Sequence, residues 1–480
     1  MTEEKKRSLA YIDSRKELIC GVADQIWRFA ELSLQEERSA ALYCEVLERE
    51  GFAVTRGVCG IPTAFSASYG AGRPVIGILA EYDALSGLSQ KGGMTRPEPM
   101  DGGDAGHGCG HNLLGAGALA AALGVRHWLA ETGHGGTVTL YGCPGEEGGA
   151  GKAFMAREGL WKQLDAALTW HPEDCNEAVV GSCSATLQVQ YAFTGTASHA
   201  AGAPELGRSA LDAVELMNIG VQFLREHMPS SARVHYAITD AGGRSANVVQ
   251  PRATVLYMVR GSSVTEAQRL LQRVDRIAEG AALMTETRFT RSFIDGTADL
   301  LENRALAETI HRCFEELGVP SCTEEELAYA AELQKTYEGS ERAPGCGSES
   351  DAAYAQTAQE LRRVHGGVMN TFLLPLYRGY AYNPGSTDVG DVSWQTPTAQ
   401  CHVAAWPNGC PGHSWQNVSC AATSIGHKAA LHAGKVLCSA ALELYTDAAL
   451  LEKAKAEFRE RSAAGYICPI PPDAVPTVPD

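Results

Sequence analysis

Three short apolar runs before residue 171, each followed by polar residues, constrain the fold more than any other feature of this chain. The runs cover residues 75–80 (VIGILA), 138–141 (VTLY) and 166–170 (AALTW), and each has the length and composition of a buried strand. A helical pattern at 113–129 lies between the first two runs. Strands that alternate with helices form mostly parallel sheets with both faces covered. The sequence therefore predicts an α/β fold with a mostly parallel sheet.

The polar residues at these strand ends are of types that bind metal ions or transfer protons. Asp83 follows the first run, Glu146 and Glu147 follow the second, and His171 follows the third. Open α/β sheets place their sites at the carboxyl ends of their strands. Neighbouring side chains on an extended segment point in opposite directions, so one glutamate can bind a metal while the other transfers protons. Adjacent glutamates more often form a solvated surface, and the position at a strand end favours the functional interpretation.

A glycine-rich loop at 106–112 (GHGCGHN) precedes the helix. Its Cys109 and His111 are two residues apart, and Gly110 between them allows a tight turn that directs a thiolate and an imidazole to one point. A single cysteine is usually a small buried hydrophobic residue, and this chain has 15 cysteines. Together with the paired glutamates, however, the loop predicts a two-metal hydrolase site.

Length, charge and cysteine content limit the classes of protein to consider. A chain of 480 residues exceeds the usual size of a single core, which favours two domains. The formal net charge of −17 argues against nucleic acid and anionic membranes as partners, because both require basic surfaces. The cysteines are odd in number and follow a charged N-terminus without an apolar segment, which favours a reducing cytoplasm. No apolar stretch, including 116–125, reaches the length of a membrane span, so we expect a soluble protein.

After the third run, the pattern changes to strand, helix, strand, strand, helix, strand, which is typical of a ferredoxin-like βαββαβ unit. We expect this unit to span 186–299 and to be inserted in a catalytic domain formed by 1–185 and 300–480. In the second catalytic segment, the polar stretch 335–352 indicates a surface loop, and the proline-rich end 468–480 indicates an extended tail.

A series of spaced motifs resembles the M20 metallopeptidase family over nearly the whole chain. In one-letter code they are AEYDAL at 80–85, HGCGHN at 107–112, PGEEGG at 144–149, TWHP at 169–172, SHAA at 198–201, NVVQP at 247–251 and GSTD at 385–388. The resemblance is to the amidohydrolase branch with a His-x-Cys-Gly-His loop, and is closest to the p-aminobenzoyl-glutamate hydrolases. It implies a metal-dependent exopeptidase-like catalytic domain with a pair of metal ions. It also implies that the inserted domain is a lid that forms the dimer contact.

The resemblance implies a complete set of metal ligands. Cys109 would bridge two divalent ions, zinc or manganese, and the other ligands would be His111, Glu147, His171 and His413. The match around His413 is short, and three other histidines lie near it in sequence: His402, His427 and His432. An ordinary surface histidine is the alternative for His413.

Residues that bind no metal also receive roles from the resemblance. Glu146 would be the general base, and Asp83 would orient a metal-bound histidine. In the inserted domain, His199, Asn247 and Arg260 would hold the substrate carboxylate and the oxyanion, with His199 reaching the site of the neighbouring subunit. The alternatives are a strand-end turn residue for Asp83, a structural histidine for His199 and a solvated edge charge for Arg260.

These expectations lead to hydrolysis of the amide bond of an N-acyl amino acid. The favoured substrate is p-aminobenzoyl-glutamate, which would give p-aminobenzoate and glutamate. A cytosolic dipeptidase or aminoacylase of the same family is the nearest alternative. A non-catalytic binding subunit that supports a paralogous hydrolase is an alternative of another class, against which the intact set of ligands and base argues. We expect a homodimer, with pairing to a paralogous subunit as the alternative.

Overall fold

The computed structural model describes residues 1–477 and divides the chain into two compact units. Unit 1 comprises Met1–Ser182, Leu301–Asn383 and Val392–Tyr466. Unit 2 comprises Cys183–Leu300, Pro384–Asp391 and the segment from Ile467 onward. Unit 2 is therefore larger than the predicted insertion 186–299, because two short segments from the C-terminal part of the chain join it. The last three residues of the predicted tail lie outside the described residues.

The strands of the described residues are β1 (Ala53–Arg56), β2 (Phe65–Ala71), β3 (Val75–Ala80), β4 (Gly136–Gly142), β5 (Ala166–Glu173), β6 (Glu177–Ala178), β7 (Ser182–Cys183), β8 (Ala185–Thr194), β9 (Arg233–Asp240), β10 (Arg252–Gly261), β11 (Arg288–Thr297), β12 (Tyr382–Asn383) and β13 (Thr398–Ala404). The α-helices are α1 (Glu3–Ser14), α2 (Lys16–Phe29), α3 (Glu37–Arg49), α4 (His111–Thr132), α5 (Gly151–Arg157), α6 (Ala210–Leu224), α7 (Val264–Thr285), α8 (Arg304–Leu317), α9 (Glu324–Gln334), α10 (Ala352–Leu361), α11 (Val389–Ser393), α12 (Trp415–Ala421), α13 (Ser424–Thr446) and α14 (Ala448–Arg461).

Seven strands of unit 1 form one sheet in the order β1-β2-β4-β3-β5-β13-β6. Its central strands β4, β3, β5 and β13 are parallel neighbours. Strands β1, β2 and β6 pair antiparallel towards the two edges. The parallel centre confirms the predicted fold class. Strand β3 is apolar at every position and almost wholly buried, as expected for a strand covered on both faces, whereas β5 ends in the polar residues His171 and Glu173.

Helix α4 lies in the core of unit 1 and packs against α13. A Cβ at Gly434 would lie 2.5 Å from the Cβ of Ala120, so the two helices approach each other where one side chain is absent. At 22 residues α4 is longer than the predicted 113–129, and its length and composition alone would suit a membrane span. However, 83% of its most apolar window is buried inside the protein, which is typical of a core helix.

Unit 2 contains a four-stranded antiparallel sheet in the order β11-β8-β10-β9. Helices α6 and α7 pack against this sheet, and the chain order of the elements is the predicted βαββαβ. Alternate residues of β10, including Val255, Tyr257 and Val259, are buried because the helices cover one face only. The strand order is that of a ferredoxin-like unit. Its function as a lid stays a prediction.

Candidate active site

The ends of three adjacent strands bring polar side chains to one edge of the unit 1 sheet. Strands β4, β3 and β5 are parallel neighbours, so their carboxyl ends meet at the same edge. Asp83 follows β3, Glu147 follows β4, and His171 lies near the end of β5. Parallel pairing therefore places together residues that are far apart in sequence.

The Cys109 loop reaches this edge through a turn that requires glycine. Gly110 has a φ of 78° and precedes α4, which begins at His111. A Cβ at Gly110 would lie 2.8 Å from Cγ of Pro172, so a larger residue would not fit. As a result, Sγ of Cys109 lies 3.3 Å from Nε2 of His171.

Asp83 is buried and orients His111. Its Oδ1 lies 2.8 Å from Nδ1 of His111, and its Oδ2 accepts hydrogen bonds from Ser33 Oγ and the Glu147 backbone N–H, each at 2.8 Å. Burial by itself would raise the pKa of Asp83, but the charge and hydrogen bond of His111 lower this pKa to about 2. When Nδ1 of His111 donates to Asp83, Nε2 presents the lone pair that a metal ion requires. This is the arrangement that the resemblance implied for Asp83.

Two groups of potential ligand atoms share the thiol of Cys109. The first group consists of Cys109, His111 and His171, and the second consists of Cys109, Glu147 and His413. Within each group, the potential ligand atoms lie within 4.8 Å of one another. Bond lengths at tetrahedral zinc separate N and O ligands by roughly 3.3 Å and N and S ligands by roughly 3.5 Å. The distance from Nε2 of His413 to Oε2 of Glu147 is 3.4 Å, close to the first value. The distance of 3.3 Å from Sγ of Cys109 to Nε2 of His171 is close to the separation of N and S ligands.

Two ligand atoms in these groups are buried without a hydrogen bond. Within residues 1–477, neither Nε2 of His111 nor Oε1 of Glu147 makes one, although Oε2 of Glu81 lies 3.3 Å from the former. Folded proteins rarely leave such atoms unpaired, and a metal ion would satisfy both. His413 has a φ of 53°, a left-handed conformation that costs energy for a residue with a Cβ. The residues present therefore fit two metal ions bridged by Cys109.

In the absence of a cation, the pKa shifts of Cys109, Glu147 and His171 favour their uncharged forms. Burial, followed by the charge of Glu147, raises the pKa of Cys109 well above that of an ordinary thiol. Burial also raises the pKa of Glu147. Burial, followed by the charge of His111, lowers the pKa of His171 well below its usual range. His111 differs: burial by itself would lower its pKa, but the charges of Cys109 and Asp83 raise this pKa well above its usual range. A divalent cation would reverse the first two effects, because it favours thiolate and carboxylate.

Glu146 and Glu147 lie in a turn after β4, not in the extended segment that was predicted, and their side chains nevertheless occupy different positions. Glu147 belongs to a group that contains Cys109, whereas Glu146 is grouped with His111 and Glu81. Oε2 of Glu146 lies 3.9 Å from Nε2 of His111, beyond hydrogen-bond distance. Glu146 therefore lies beside the two ligand groups that share Cys109, where a general base would be required.

A buried ion pair beside the groups was not predicted. Nζ of Lys152 lies 2.6 Å from Oε1 of Glu81, and both side chains are buried. Glu81 is two residues before Asp83, and residues at this spacing share a face of an extended segment. That spacing was the signal by which Glu81 could have been found. Lys152, in the first turn of α5, has no corresponding pattern.

The alternative histidines near His413 all have other partners. Nδ1 of His402 lies 2.9 Å from Oε1 of Glu177, and Nε2 of His427 lies 2.8 Å from Oδ1 of Asp24. Nε2 of His432 lies 2.9 Å from a backbone carbonyl oxygen. Of the four, only His413 is in a group with Cys109.

The predicted substrate residues lie in unit 2. His199 is exposed, and its Nδ1 accepts hydrogen bonds from the backbone N–H groups of Ala201 and Gly202 at 3.2 and 3.0 Å. The neutral ring therefore carries its proton on Nε2, which can donate. Asn247 is also exposed, and its backbone carbonyl accepts from the N–H of Ala200 at 2.9 Å. These contacts place the His199 and Asn247 segments side by side.

Arg260, the third of these residues, is half-buried near the end of β10. Its Nη1 donates to Oγ of Ser386 at 3.0 Å. Ser386 belongs to the GSTD motif at 385–388, and this segment is one of the two that join unit 2. The contact links Arg260 to the GSTD motif, which is far from it in sequence.

Comparison with known proteins agrees with this geometry. The model of peptidase family M20/M25/M40 matches residues 77–371. The chain is 44% identical to one subunit of the p-aminobenzoyl-glutamate hydrolase of Escherichia coli K12, over 97% of each chain. It is 32% identical to the Xaa-Arg dipeptidase of Mus musculus, over 58% of this chain and 64% of that one. Among solved structures, the Bacillus subtilis YXEP protein, a dinuclear metal binding peptidase from the M20 family, superposes with a TM-score of 0.55 at 15% identity, covering 90% of this chain and 99% of that chain.

Proposed function

Because the chain belongs to peptidase family M20/M25/M40, we propose that it hydrolyses the amide bond of an N-acyl amino acid with two divalent metal ions. The observation that carries the proposal is the pair of ligand groups that share Cys109, with Glu146 beside them. The favoured substrate is p-aminobenzoyl-glutamate, cleaved to p-aminobenzoate and glutamate. It is favoured because the Escherichia coli relative, 44% identical over nearly the whole chain, is a hydrolase of this compound by name.

We assign Cys109, His111, Glu147, His171 and His413 as the metal ligands. Divalent ions at this position lower the pKa of a bound water and polarise the amide carbonyl. The bridging thiolate favours zinc, and the carboxylate ligand is compatible with manganese. Asp83 keeps Nε2 of His111 directed at the metal, because the hydrogen bond to Nδ1 fixes the ring.

The remaining steps belong to protein side chains. Glu146 accepts a proton from the attacking water and returns it to the amine nitrogen, without which the amine leaves slowly. Nε2–H of His199 donates to the oxyanion of the tetrahedral intermediate, and we place this residue in the site of the neighbouring subunit. Asn247 and Arg260 bind the carboxylates of the substrate, for which a guanidinium is well suited.

We further propose that unit 2 forms a dimer through an exposed apolar face. Strand β9 is at an edge of its sheet, where unpaired backbone groups can pair with another chain. Tyr236 and Ile238 on this strand, and Ile219 and Phe223 on α6, are exposed. Such a face is typical of a protein interface. A homodimer is favoured, and a paralogous partner is the alternative, since the Escherichia coli relative is named as a subunit.

The described structure contains no disulfide, which supports a reducing compartment, and we propose the cytoplasm. The substrate is then a small soluble molecule, with no nucleic acid or membrane as partner, consistent with the net charge of −17.

A substrate panel tests the proposal on the purified chain loaded with zinc or with manganese. We expect turnover of p-aminobenzoyl-glutamate without any second polypeptide. Faster turnover of dipeptides or of acetylated amino acids would favour the dipeptidase or aminoacylase alternative. A chain that is shown to contain two metal ions but hydrolyses no member of the panel would contradict the proposed catalysis. That result would favour a role in binding alone.

A further inference from the structure

A second group of metal-binding side chains in unit 1 shares no residue with the proposed active site. Cys175, Glu177 and His402 have ligand atoms within 4.8 Å of one another. Cys175 follows β5, Glu177 lies in β6, and His402 lies in β13, so three segments of one sheet contribute. We propose that these side chains bind a third divalent ion, of the zinc type, which stabilises the fold and takes no part in the reaction.

The distances in the group suit such an ion. Both other ligand atoms approach Oε1 of Glu177: Nδ1 of His402 at 2.9 Å and Sγ of Cys175 at 3.7 Å. Tetrahedral zinc separates N and O ligands by roughly 3.3 Å and S and O ligands by roughly 3.6 Å. Shifts of a few tenths of an ångström would therefore convert this group into one face of a tetrahedral site.

Glu177 is held in place by groups that leave its metal-binding capacity intact. The backbone N–H of Cys346 donates to Oε1 and Oε2 at 3.0 and 3.1 Å. A carboxylate oxygen has two lone pairs, so it can accept an N–H and bind a metal together, as metal-bound carboxylates usually do. The Cys346 thiol also interacts with Glu177, and burial followed by that charge raises its pKa. Cys346 is therefore the candidate for a fourth ligand, with water as the alternative.

The surroundings of the group are rich in negative charge. Burial, followed by the charges of Glu177, Asp174 and Glu173, raises the pKa of Cys175 well above that of an ordinary thiol. Glu177 is buried, whereas Glu173 and Asp174 are only partly so, and a buried carboxylate is costly unless a cation compensates it. His402 can contribute one positive charge, whereas a zinc ion contributes two and prefers this combination of S, N and O ligands.

A metal at this position would also support the strand that carries a proposed catalytic ligand. His402 in β13 is the parallel partner of His171 in β5, and the centroids of their rings lie 6.4 Å apart. Cross-linking β13, β6 and the end of β5 would fix the position of His171. The inference does not depend on the proposed reaction, because the ion would bind whether or not the chain is catalytic.

Cobalt spectroscopy on a chain without the bridging thiol tests the proposal. In a Cys109→Ser chain the remaining proposed active-site ligands contain no sulfur, so any thiolate-to-cobalt charge-transfer band must arise elsewhere. We expect one equivalent of Co²⁺ to give this band and to raise the Tm. The band should weaken in Cys109→Ser/Cys175→Ser and vanish when Cys346→Ser is added. It should persist in the matched control Cys109→Ser/Cys401→Ser, since Cys401 is buried on β13 next to His402 but outside the group.

Two results would overturn the proposal. The first is a folded Cys109→Ser chain that shows no thiolate band with Co²⁺, which would leave the group as a hydrogen-bonded cluster only. The second is a band that keeps its full intensity in Cys109→Ser/Cys175→Ser. If the Cys175→Ser chain does not fold, His402→Gln replaces it in the Cys109→Ser background. An unchanged Co²⁺ affinity in that variant would also contradict the site, whereas affinity at least tenfold lower would support it.

Discussion

The two units of this protein hold their proposed site residues in opposite ways. In unit 1 the side chain of His111 is fully buried, and a buried carboxylate fixes its Nδ1. In unit 2 His199 is exposed, and two backbone N–H groups of its own loop fix its Nδ1. Both imidazoles thus have a defined proton position, but only the first is surrounded by other functional groups. The proposed metal ligands therefore all lie in unit 1, whereas the role proposed for His199 depends on an exposed side chain of unit 2.

The difference follows from the cost of burial. Removing charged groups from water is unfavourable unless they are paired, so the buried groups of unit 1 fix one another's positions. Exposed groups such as Asn247 carry no such cost and need no partner in the isolated chain. Single substitutions of the buried, preorganised groups should therefore change metal affinity. Single substitutions of the exposed groups should change only turnover or KM.

The largest effect is expected from the adjacent glutamates. Glu146→Gln should lower kcat by about 10²–10⁴-fold with metal content unchanged, because only proton transfer is removed. Glu147→Gln should lose metal as well as activity, because a ligand is removed. Metal analysis and steady-state kinetics on both variants check this pair. A Glu146→Gln chain that retains more than about a tenth of the kcat would remove the general base from the proposal.

His199 tests whether unit 2 acts across the interface between two copies of the chain. His199→Ala should lower kcat by about 10²–10³-fold, the usual effect of losing an oxyanion donor, with metal content unchanged. Mixed dimers of inactive His199→Ala and Glu146→Gln chains should regain part of the activity, because one of their two sites has both native side chains. The assay compares mixed and unmixed samples. No recovery in a sample shown to contain mixed dimers would place His199 in its own subunit's site or in a structural role.

Asp83 tests the preorganisation of unit 1. Asp83→Ala should weaken metal binding by about 10–100-fold, as is usual when the partner of a metal-bound histidine is lost. Competition with a chelator measures the affinity. Asp165→Asn is the matched control, since Asp165 is equally buried but pairs with Arg73. Equal metal affinity in the Asp83→Ala and native chains would show that His111 is oriented without this carboxylate.

Sequence patterns predicted the parts of the molecule that are defined locally. The run at 75–80 became β3 with the same bounds, because a strand buried on both faces is apolar at every position. Residues 335–351 contain no helix or strand in the described structure, as their polar composition indicated, and α10 begins at Ala352. Cys109, Glu147 and His171 could be predicted as candidates because each lies beside or at the end of a recognisable element.

Other features depend on contacts between distant segments, and these leave no periodic signal. His413 is roughly 240 residues beyond His171, and only the family resemblance distinguished it from His402, His427 and His432. The buried Lys152 forms an ion pair with Glu81, and no local sequence pattern predicts such a pair. The addition of 384–391 to unit 2 was missed for the same reason.

Arg260 sharpens the contrast between binding and catalysis within unit 2. Arg260→Ala should raise KM for p-aminobenzoyl-glutamate by about tenfold, because a charge-assisted hydrogen bond to a carboxylate is lost. An N-acyl amino acid with a single carboxylate should be less affected if the guanidinium binds the side-chain carboxylate. Arg252→Ala, on the same strand but paired with Asp240, is the control. Equal KM values for native and Arg260→Ala chains would leave Arg260 with a structural role only.

The smallest effect is expected for Asp165, a buried carboxylate of unit 1 that lies outside the ligand groups. Burial by itself would raise its pKa, but hydrogen bonds from Lys455 and the Val75 N–H, with Arg73, lower the pKa below its usual value. A depressed carboxylate pKa stabilises the fold above about pH 4 and loses this effect as the pH falls through the folded-state pKa. Asp165→Asn should therefore cost about 1–3 kcal/mol at pH 7 and less near pH 3, with kcat unchanged. Denaturant unfolding at both pH values measures this. A destabilisation that is the same at both pH values would mean that the charge of Asp165 contributes nothing to the stability of unit 1.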